Sequence, residues 1–468
     1  MTRTTEAELD DLATIGERRY RERTPGSSAL WARALSTLPH GVSGAAKYFA
    51  PYPVFLRQAR GAEVWDVDEN RYVDLLMGAG PMLLGHGHPR VLEGVREQLS
   101  RMTNPMMPNE LSCELAERIR GHMPYLERIR FTNTGSEATR TALRIARAVT
   151  GRTQFAKFEG GYSGSDDAFL VSTHSRSMAG PDARPASVLD YAGLAERLID
   201  EVVVLPYNDP DAVTQVFDEI GNELAAVIME PVAFSSGGGI PASVEFAQAV
   251  RDAATKHGAI MILDEVVCAY RMGLAGAPGY LKVTPDLSTI GKAVGGGMPL
   301  GAVGGRDTLM EEALGAESDS RRIFQSGTYT ENPLSMAAGL AVLDVLESEP
   351  ILERADATAE ALRAELTRIF SDVGIEAAVT GFRSVLQVHF GATTVRNRRD
   401  VLRSDGAATA EFMLGMVSEG VLWPPVHPAV TSGAHTMAHV DEIASAASRV
   451  LAFSASEPRE DGSRSERR

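Results

Sequence analysis

The spacing of hydrophobic and polar residues changes twice along the chain. Residues 6–38 carry apolar positions at helical spacing and predict an amphipathic helix, broken by "TPGSS" at 24–28 and ended by Pro39. From about 52 to 76 the period shortens, and "AEVWDVDENRYVDLL" predicts two extended runs around the turn residues Asp68, Glu69 and Asn70. Between about 110 and 305 the apolar runs "RIRFTN", "TQFAKF", "EVVVLPY", "AAVIMEP", "AIMILDEV" and "LGAVGG" alternate with helical stretches such as Glu137–Val149 and Val244–His257. Continuous apolar strands alternating with helices predict an α/β fold, a mostly parallel sheet covered on both faces. The rest opens with a long helix, "SMAAGLAVLDVLESE", and runs helix, strand, helix to about Phe453, a smaller α+β domain. The end, "SASEPREDGSRSERR", is polar and poor in aliphatics, which predicts a disordered tail.

Composition narrows the class. A chain of 468 residues is too long for one small core and suggests one large domain with a smaller one. Lys plus Arg total 46 against 62 for Asp plus Glu, a formal charge of -16, which argues against a nucleic-acid partner. The two cysteines, Cys113 and Cys268, form no disulfide framework or CxxC metal pair and are expected as small buried hydrophobes. The acidic, helix-like N-terminus has no apolar signal core, and no stretch reaches the length of a membrane span. A cytoplasmic enzyme is the expected class.

One stretch stands out chemically. In "LSTIGKAVGGGMPLGAVGG" a single lysine, Lys292, sits between an apolar run and a cluster of glycines. A P-loop would need glycine at 286 and Ser or Thr at 293, where Asp286 and Ala293 stand. A GxGxxG fingerprint starting at Gly295 fails at Leu300. The functional alternative is a nucleophilic lysine, whose amine forms a Schiff base only when its site lowers its pKa. The plain alternative is a surface lysine ahead of a flexible loop.

Three other stretches bear on that choice. "AIMILDEVVCAYR" puts Asp264 at the carboxyl end of an apolar strand, where open α/β sheets bind ligands. A carboxylate there wants a cation, and a protonated pyridine nitrogen is the partner an Asp has in pyridoxal phosphate sites. "FTNTGSEATRTALRIAR" is a strand, the turn Thr134-Gly135-Ser136 and a helix, an anion site or a plain N-cap with Ser136 as the cap. "KFEGGYSGSDD" places Tyr162 among glycines, suited to stacking on a flat ring or to a core position.

Together with "WDVDENRYVDLL", "GPMLLGHGHP", "LPYNDPDAV" and "SGTYTENPLSMAAGLAVL", these stretches resemble the class III (subgroup II) aminotransferases of fold type I. Within them the chain is similar to the glutamate-1-semialdehyde 2,1-aminomutase group, over residues 30–453. The resemblance implies pyridoxal 5'-phosphate bound covalently to Lys292, which also moves the proton between substrate and cofactor. It implies Asp264 at the pyridine nitrogen, Gly135 and Ser136 at the phosphate with Thr134 nearby, and Tyr162 and Val266 on the two ring faces. Thr328 would reach the phosphate in the neighbouring subunit, so a homodimer with shared active sites is expected. The pair His86 and His88 would belong to a structural turn, with no metal. The expected division is an N-terminal arm and small-domain segment over 1–60, a large cofactor-binding domain over 61–335, a C-terminal α+β domain over 336–453 and a tail over 454–468.

The chain departs from that group around one pocket. Lys47 stands where an arginine binds the substrate carboxylate, keeping the charge without the bidentate fork. Ser163 replaces a histidine after Tyr162, and Ala79 replaces a tryptophan. The segment after "EPVA", "GNMG"-like in the group, reads Phe234-Ser235-Ser236-Gly237, so Ser235 replaces an asparagine. The glycine-rich gating segment here reads "THSRSMAG", Thr173 to Gly180. Retained cofactor residues with an altered pocket predict an aminotransferase acting between an amino donor and a carbonyl substrate. An intramolecular aminomutase is the alternative. A non-catalytic binding protein would need neither Lys292 nor Asp264.

Overall fold

The computed structural model describes residues 15–315 and 321–456. Its centre is a seven-stranded sheet of β1 (Arg128–Thr132), β2 (Gln154–Phe158), β3 (Val202–Leu205), β4 (Leu224–Met229), β5 (Ile260–Glu265), β6 (Leu287–Gly291) and β7 (Gly301–Gly305). The spatial order is β1-β7-β6-β5-β4-β2-β3, and β7 alone runs against its neighbours. β6 is a central strand that the apolar pattern did not predict. It is only five residues long and runs straight into the glycine cluster.

Alternation along β5 shows how the sheet is covered. Ile260 and Ile262 join the core beneath the helix Gly135–Thr150, while Met261 and Leu263 join the core under the helix Val244–His257. The first helix turns Ala138, Ala142 and Ala146 inward, so a small-residue face lies close on the sheet. Gly301 of β7 is required by that proximity, because a Cβ there would run into the Thr134 carbonyl. The parallel strands thus end at one edge, where β5 delivers Asp264 and β6 delivers Lys292.

A three-stranded antiparallel sheet (Ala377–Phe382, Val385–Phe390, Ala429–Val430) packs with the helices Ile351–Asp372 and Met437–Ser456. Phe370, Phe390, Phe412 and Trp423 form the aromatic part of that core. The extended runs predicted near 60 and 72 pair with each other, and Arg71–Asp74 runs parallel to Val421–Leu422. Leu56–Arg60 pairs with Glu63–Asp66, so a boundary between 60 and 61 passes through a hairpin.

Other expectations shift locally. "TPGSS" does not break the helical segment over five residues. Pro25 instead starts the helix Pro25–Ala34 directly after Ile15–Arg23, as its missing N–H allows. Cys268 is buried, but Cys113 is exposed on the helix Glu110–His122. The last helix extends to Ser456, while the helix expected over 6–14 and the tail over 457–468 lie outside the described residues. No helix among the described residues is long and apolar enough to cross a membrane.

Candidate active site

Lys292 follows β6 directly and has a left-handed backbone, φ 47°, which costs a lysine free energy and persists only where surroundings enforce it. Its ammonium lies 5.5 Å from the centroid of the Phe234 ring. Burial pushes its pKa down to about 8, against the opposing pull of Glu230 and Asp264 and with help from Arg271. An appreciable fraction of this amine is therefore neutral near pH 7–8, unlike a surface lysine's.

Asp264 is buried at the end of β5, paired in register with Thr289 on β6. Its Oδ1 accepts from the Val266 N–H at 3.1 Å and from the Thr289 hydroxyl at 3.0 Å. Burial pushes its carboxyl up, while hydrogen bonds led by the Ser163 hydroxyl pull it back. Ser163, where the similar group has a histidine, thus favours the charged form of Asp264. The neighbouring Glu265 faces away and is satisfied by Tyr125, Ser288 and the Ala277 N–H.

The helix Gly135–Thr150 begins beside these residues. Thr134, not Ser136, is its N-cap, accepting from the Glu137 N–H at 3.2 Å, and Glu137 reaches back to the Asn133 N–H at 2.8 Å. Ser136 is thereby left inside the first turn, where its hydroxyl accepts from the Ser165 N–H at 3.2 Å. Gly135 is needed for packing, since a Cβ there would stand 2.5 Å from Val266 Cγ1. Tyr162 is 36% exposed, and its N–H is fixed by Glu230 Oε2 at 3.0 Å. Its ring lies 6.1 Å from that of His174.

The structure therefore brings together Lys292, Asp264, Ser163, Val266, Gly135, Ser136 and Tyr162, with Phe234 beside Lys292, while the following Ser235 lines a neighbouring cavity. Ala79 belongs to a turn in which Met77, Gly78, Ala79 and Gly80 all have positive φ, and Gly80 lies against the Lys292 side chain. Lys47 is exposed on the single turn Ala45–Lys47, and Thr328 is exposed in the turn after Gly327; no hydrogen bond or ion pair among the described residues joins either to the cluster. His86 bonds Asp74 at 2.7 Å, and His88 precedes the helix Pro89–Arg101.

Three residues of the site escaped the sequence reading. Glu230 is buried, and its carboxyl is pushed up to about 8 by burial and by Asp264. Arg271 is buried and donates to the Gly80 carbonyl, the Ser384 hydroxyl and the Thr431 carbonyl. Lys157 is buried and donates to the Phe169 and Val171 carbonyls and the Thr173 hydroxyl, securing the start of the 173–180 segment. Both Glu230 and Arg271 lie inside stretches that sequence singled out, "AAVIMEPV" and "LDEVVCAYR"; only their burial marks them.

These residues fit a flat, anionic aldehyde cofactor. A free amine can bond an aldehyde, a buried carboxylate can face a ring N–H⁺, and a helix start with Ser136 can receive a phosphate.

Comparison with known proteins agrees. The family model for class-III aminotransferases matches residues 45–447. Glutamate-1-semialdehyde 2,1-aminomutase from Rhodopirellula baltica is 37% identical over 432 residues, covering 91% of this chain and 96% of that protein. Among solved structures, an omega-transaminase from Sphaerobacter thermophilus superposes with a TM-score of 0.86 at 31% identity, covering 93% of this chain and 99% of the other. A transaminase with pyridoxal phosphate bound superposes with a TM-score of 0.81 at 30% identity, covering 92% and 97%.

Proposed function

The chain belongs to the class-III aminotransferases, and from that premise we propose that it moves an amino group between two separate molecules, a donor and an oxo-acid or aldehyde acceptor. Its cofactor is pyridoxal 5'-phosphate, which when bound supplies an electron sink for the carbon that carries the amino group. The observation that carries the site assignment is the depressed Lys292 amine beside the buried Asp264. Lys292 Nζ would hold the cofactor, and its amine, neutral in part near pH 8, would be the group that takes up and returns a proton at the reacting carbon. Asp264 would face the pyridine nitrogen and favour its protonated form, and the Val266 N–H and the Thr289 hydroxyl keep Asp264 in place. Gly135 and Ser136 take the phosphate beside Thr134, with Tyr162 and Val266 on the ring faces.

Transfer between molecules is favoured by the pocket wall. Phe234, buried against Met77, Val385 and Val430, stands beside Lys292 where the aminomutase pattern starts with glycine. Ser163, Ser235 and Ala79 alter further positions, and Lys47 offers a point charge in place of a fork. The aminomutase reading is favoured in turn by the name of the 37% identical relative. Incubation with a nitrogen-15-labelled donor and an unlabelled acceptor separates the two. Label in the product supports transfer between molecules. Product from a single substrate, with no donor and no label, reverses the choice.

The same reading includes a homodimer, a cytoplasmic setting, and a large domain flanked by terminal segments that fold together. Exposed Met106, Met107, Phe324 and Tyr329 support the dimer, because the two segments that carry them are tied by Asn332 to the Thr103 carbonyl at 2.9 Å. Thr328 lies in this patch and reaches the partner's phosphate.

A further inference from the structure

One buried side chain joins the loop that carries Tyr162 to the loop that carries Phe234. Glu230 follows β4, which pairs in parallel with β5 up to Met229 opposite Leu263, so Glu230 and Asp264 stand side by side at the same sheet edge. The Tyr207 hydroxyl donates to the Glu230 carbonyl at 2.8 Å and anchors its main chain. The two carboxyl oxygens serve different loops: Oε2 accepts from the Tyr162 N–H at 3.0 Å and Oε1 from the Phe234 N–H at 3.4 Å. A single carboxyl between two main-chain donors sets the spacing of the loops that bear them.

Tyr162 needs that support. It is partly exposed, so packing alone does not fix its ring. The peptide joining Gly161 to Tyr162 is instead gripped at both ends. Its N–H meets Glu230, and its carbonyl lies 3.1 Å from the Thr173 hydroxyl, which accepts from Lys157 Nζ at 2.6 Å. Turning this peptide would swing the ring and break a bond on each side. At its far end the ring's hydroxyl meets Ser136. Burial and Asp264 push the Glu230 carboxyl up to about 8, against the two N–H donors and Lys292, so near pH 7 it is largely uncharged. It does not rival Asp264 for a cation; it supplies two acceptors.

We propose that Glu230 is a positioning residue for the transfer reaction: through the main-chain N–H groups of residues 162 and 234 it sets the Tyr162 ring against the cofactor and fixes its distance from Phe234. An acceptor for both donors is required here, because a buried N–H without a partner is costly and would turn its peptide toward another acceptor. A glutamine offers one acceptor oxygen and one NH2 donor, and a methionine offers only a weak acceptor. The proposal rests on the reading of Tyr162 as a cover for the cofactor ring.

Titration of apoenzyme with pyridoxal phosphate at pH 7, read together with the circular dichroism of the bound cofactor's absorption band, tests the role. Glu230→Met should weaken binding about ten-fold and flatten the dichroism, as two unpaired N–H groups let the ring turn, and Glu230→Gln should fall between methionine and wild type. Tyr162→Ala should also weaken binding about ten-fold. In the double variant, Glu230→Met should add no more than about three-fold to Tyr162→Ala, because the two act through the same ring. In turnover, Glu230→Met should lower kcat more than it raises KM. If Glu230→Met does not fold, Thr173→Val frees the same peptide from its carbonyl side; it should flatten the dichroism, and Thr173→Ser should restore it. Fully additive losses in the double variant would overturn the role and leave the place of Tyr162 intact. So would wild-type binding and dichroism in Glu230→Met, or unchanged dichroism in Thr173→Val. Tyr162→Ala that binds the cofactor as wild type does would overturn the ring-face reading and this role with it.

Discussion

Replacing Arg271 by methionine removes one buried cation and its four hydrogen bonds. Two go to the Gly80 carbonyl, at 3.2 and 2.8 Å, one to the Ser384 hydroxyl at 2.8 Å and one to the Thr431 carbonyl at 2.9 Å. Three acceptors therefore lose their partner, at about 1–3 kcal/mol each. Against that loss stands the burial penalty on the charge, which pulls the guanidinium down to about 10 and costs on the order of 3 kcal/mol. Methionine relieves that penalty but leaves the acceptors buried and strips the support from a strained turn. Met77 and Ala79 hold φ at 46° and 63°, at roughly 1 kcal/mol each, and the turn lies on the Lys292 side chain through Gly80. The two terms leave a net destabilisation of roughly 0–6 kcal/mol, with about 3 kcal/mol as the central value. The guanidinium chloride midpoint, read at fixed protein and cofactor concentrations because both ligand and dimer shift it, measures this directly. Arg271→Lys keeps the charge and part of the bonding and should fall between the two. Methionine more stable than wild type would refute the reasoning, and so would lysine less stable than methionine.

Two further outcomes follow from the site. Recombination of apoenzyme with pyridoxal phosphate should speed up as pH rises through about 8 and level off above it, since the depressed Lys292 pKa makes the neutral amine dominant there; a rate still climbing near pH 10 would indicate an ordinary lysine. Gly135→Ala puts a methyl group 2.5 Å from Val266 Cγ1. The strain, about 1–3 kcal/mol, should weaken cofactor retention on dialysis roughly ten-fold or more, and undiminished retention would contradict the packing.

Much of the fold was legible because its strands are apolar on both faces and its helices are capped in sequence. The 260–265 strand and the helix after Thr134 follow from periodicity alone. β6 did not, because "LSTIG" offers five residues without alternation, and only pairing on both edges reveals it as central. The cap is a similar case: Thr134 and Ser136 are equally good capping residues, and the Glu137 side chain decides between them by reaching Asn133. Asp264 and Lys292 could be picked out because a charge at a strand end or beside glycines is anomalous in sequence. Glu230, Lys157 and Arg271 carry no such local anomaly. Their importance comes from burial among partners 12 to 191 positions away.

The central claim is that Lys292 carries the cofactor. Borohydride reduction of the holoenzyme followed by peptide mapping tests it most directly. Pyridoxal phosphate should be fixed on the peptide containing Lys292, and Lys292→Ala should retain no reducible cofactor while still binding it reversibly. Label on any other lysine, or unaltered fixation in Lys292→Ala, would contradict the assignment.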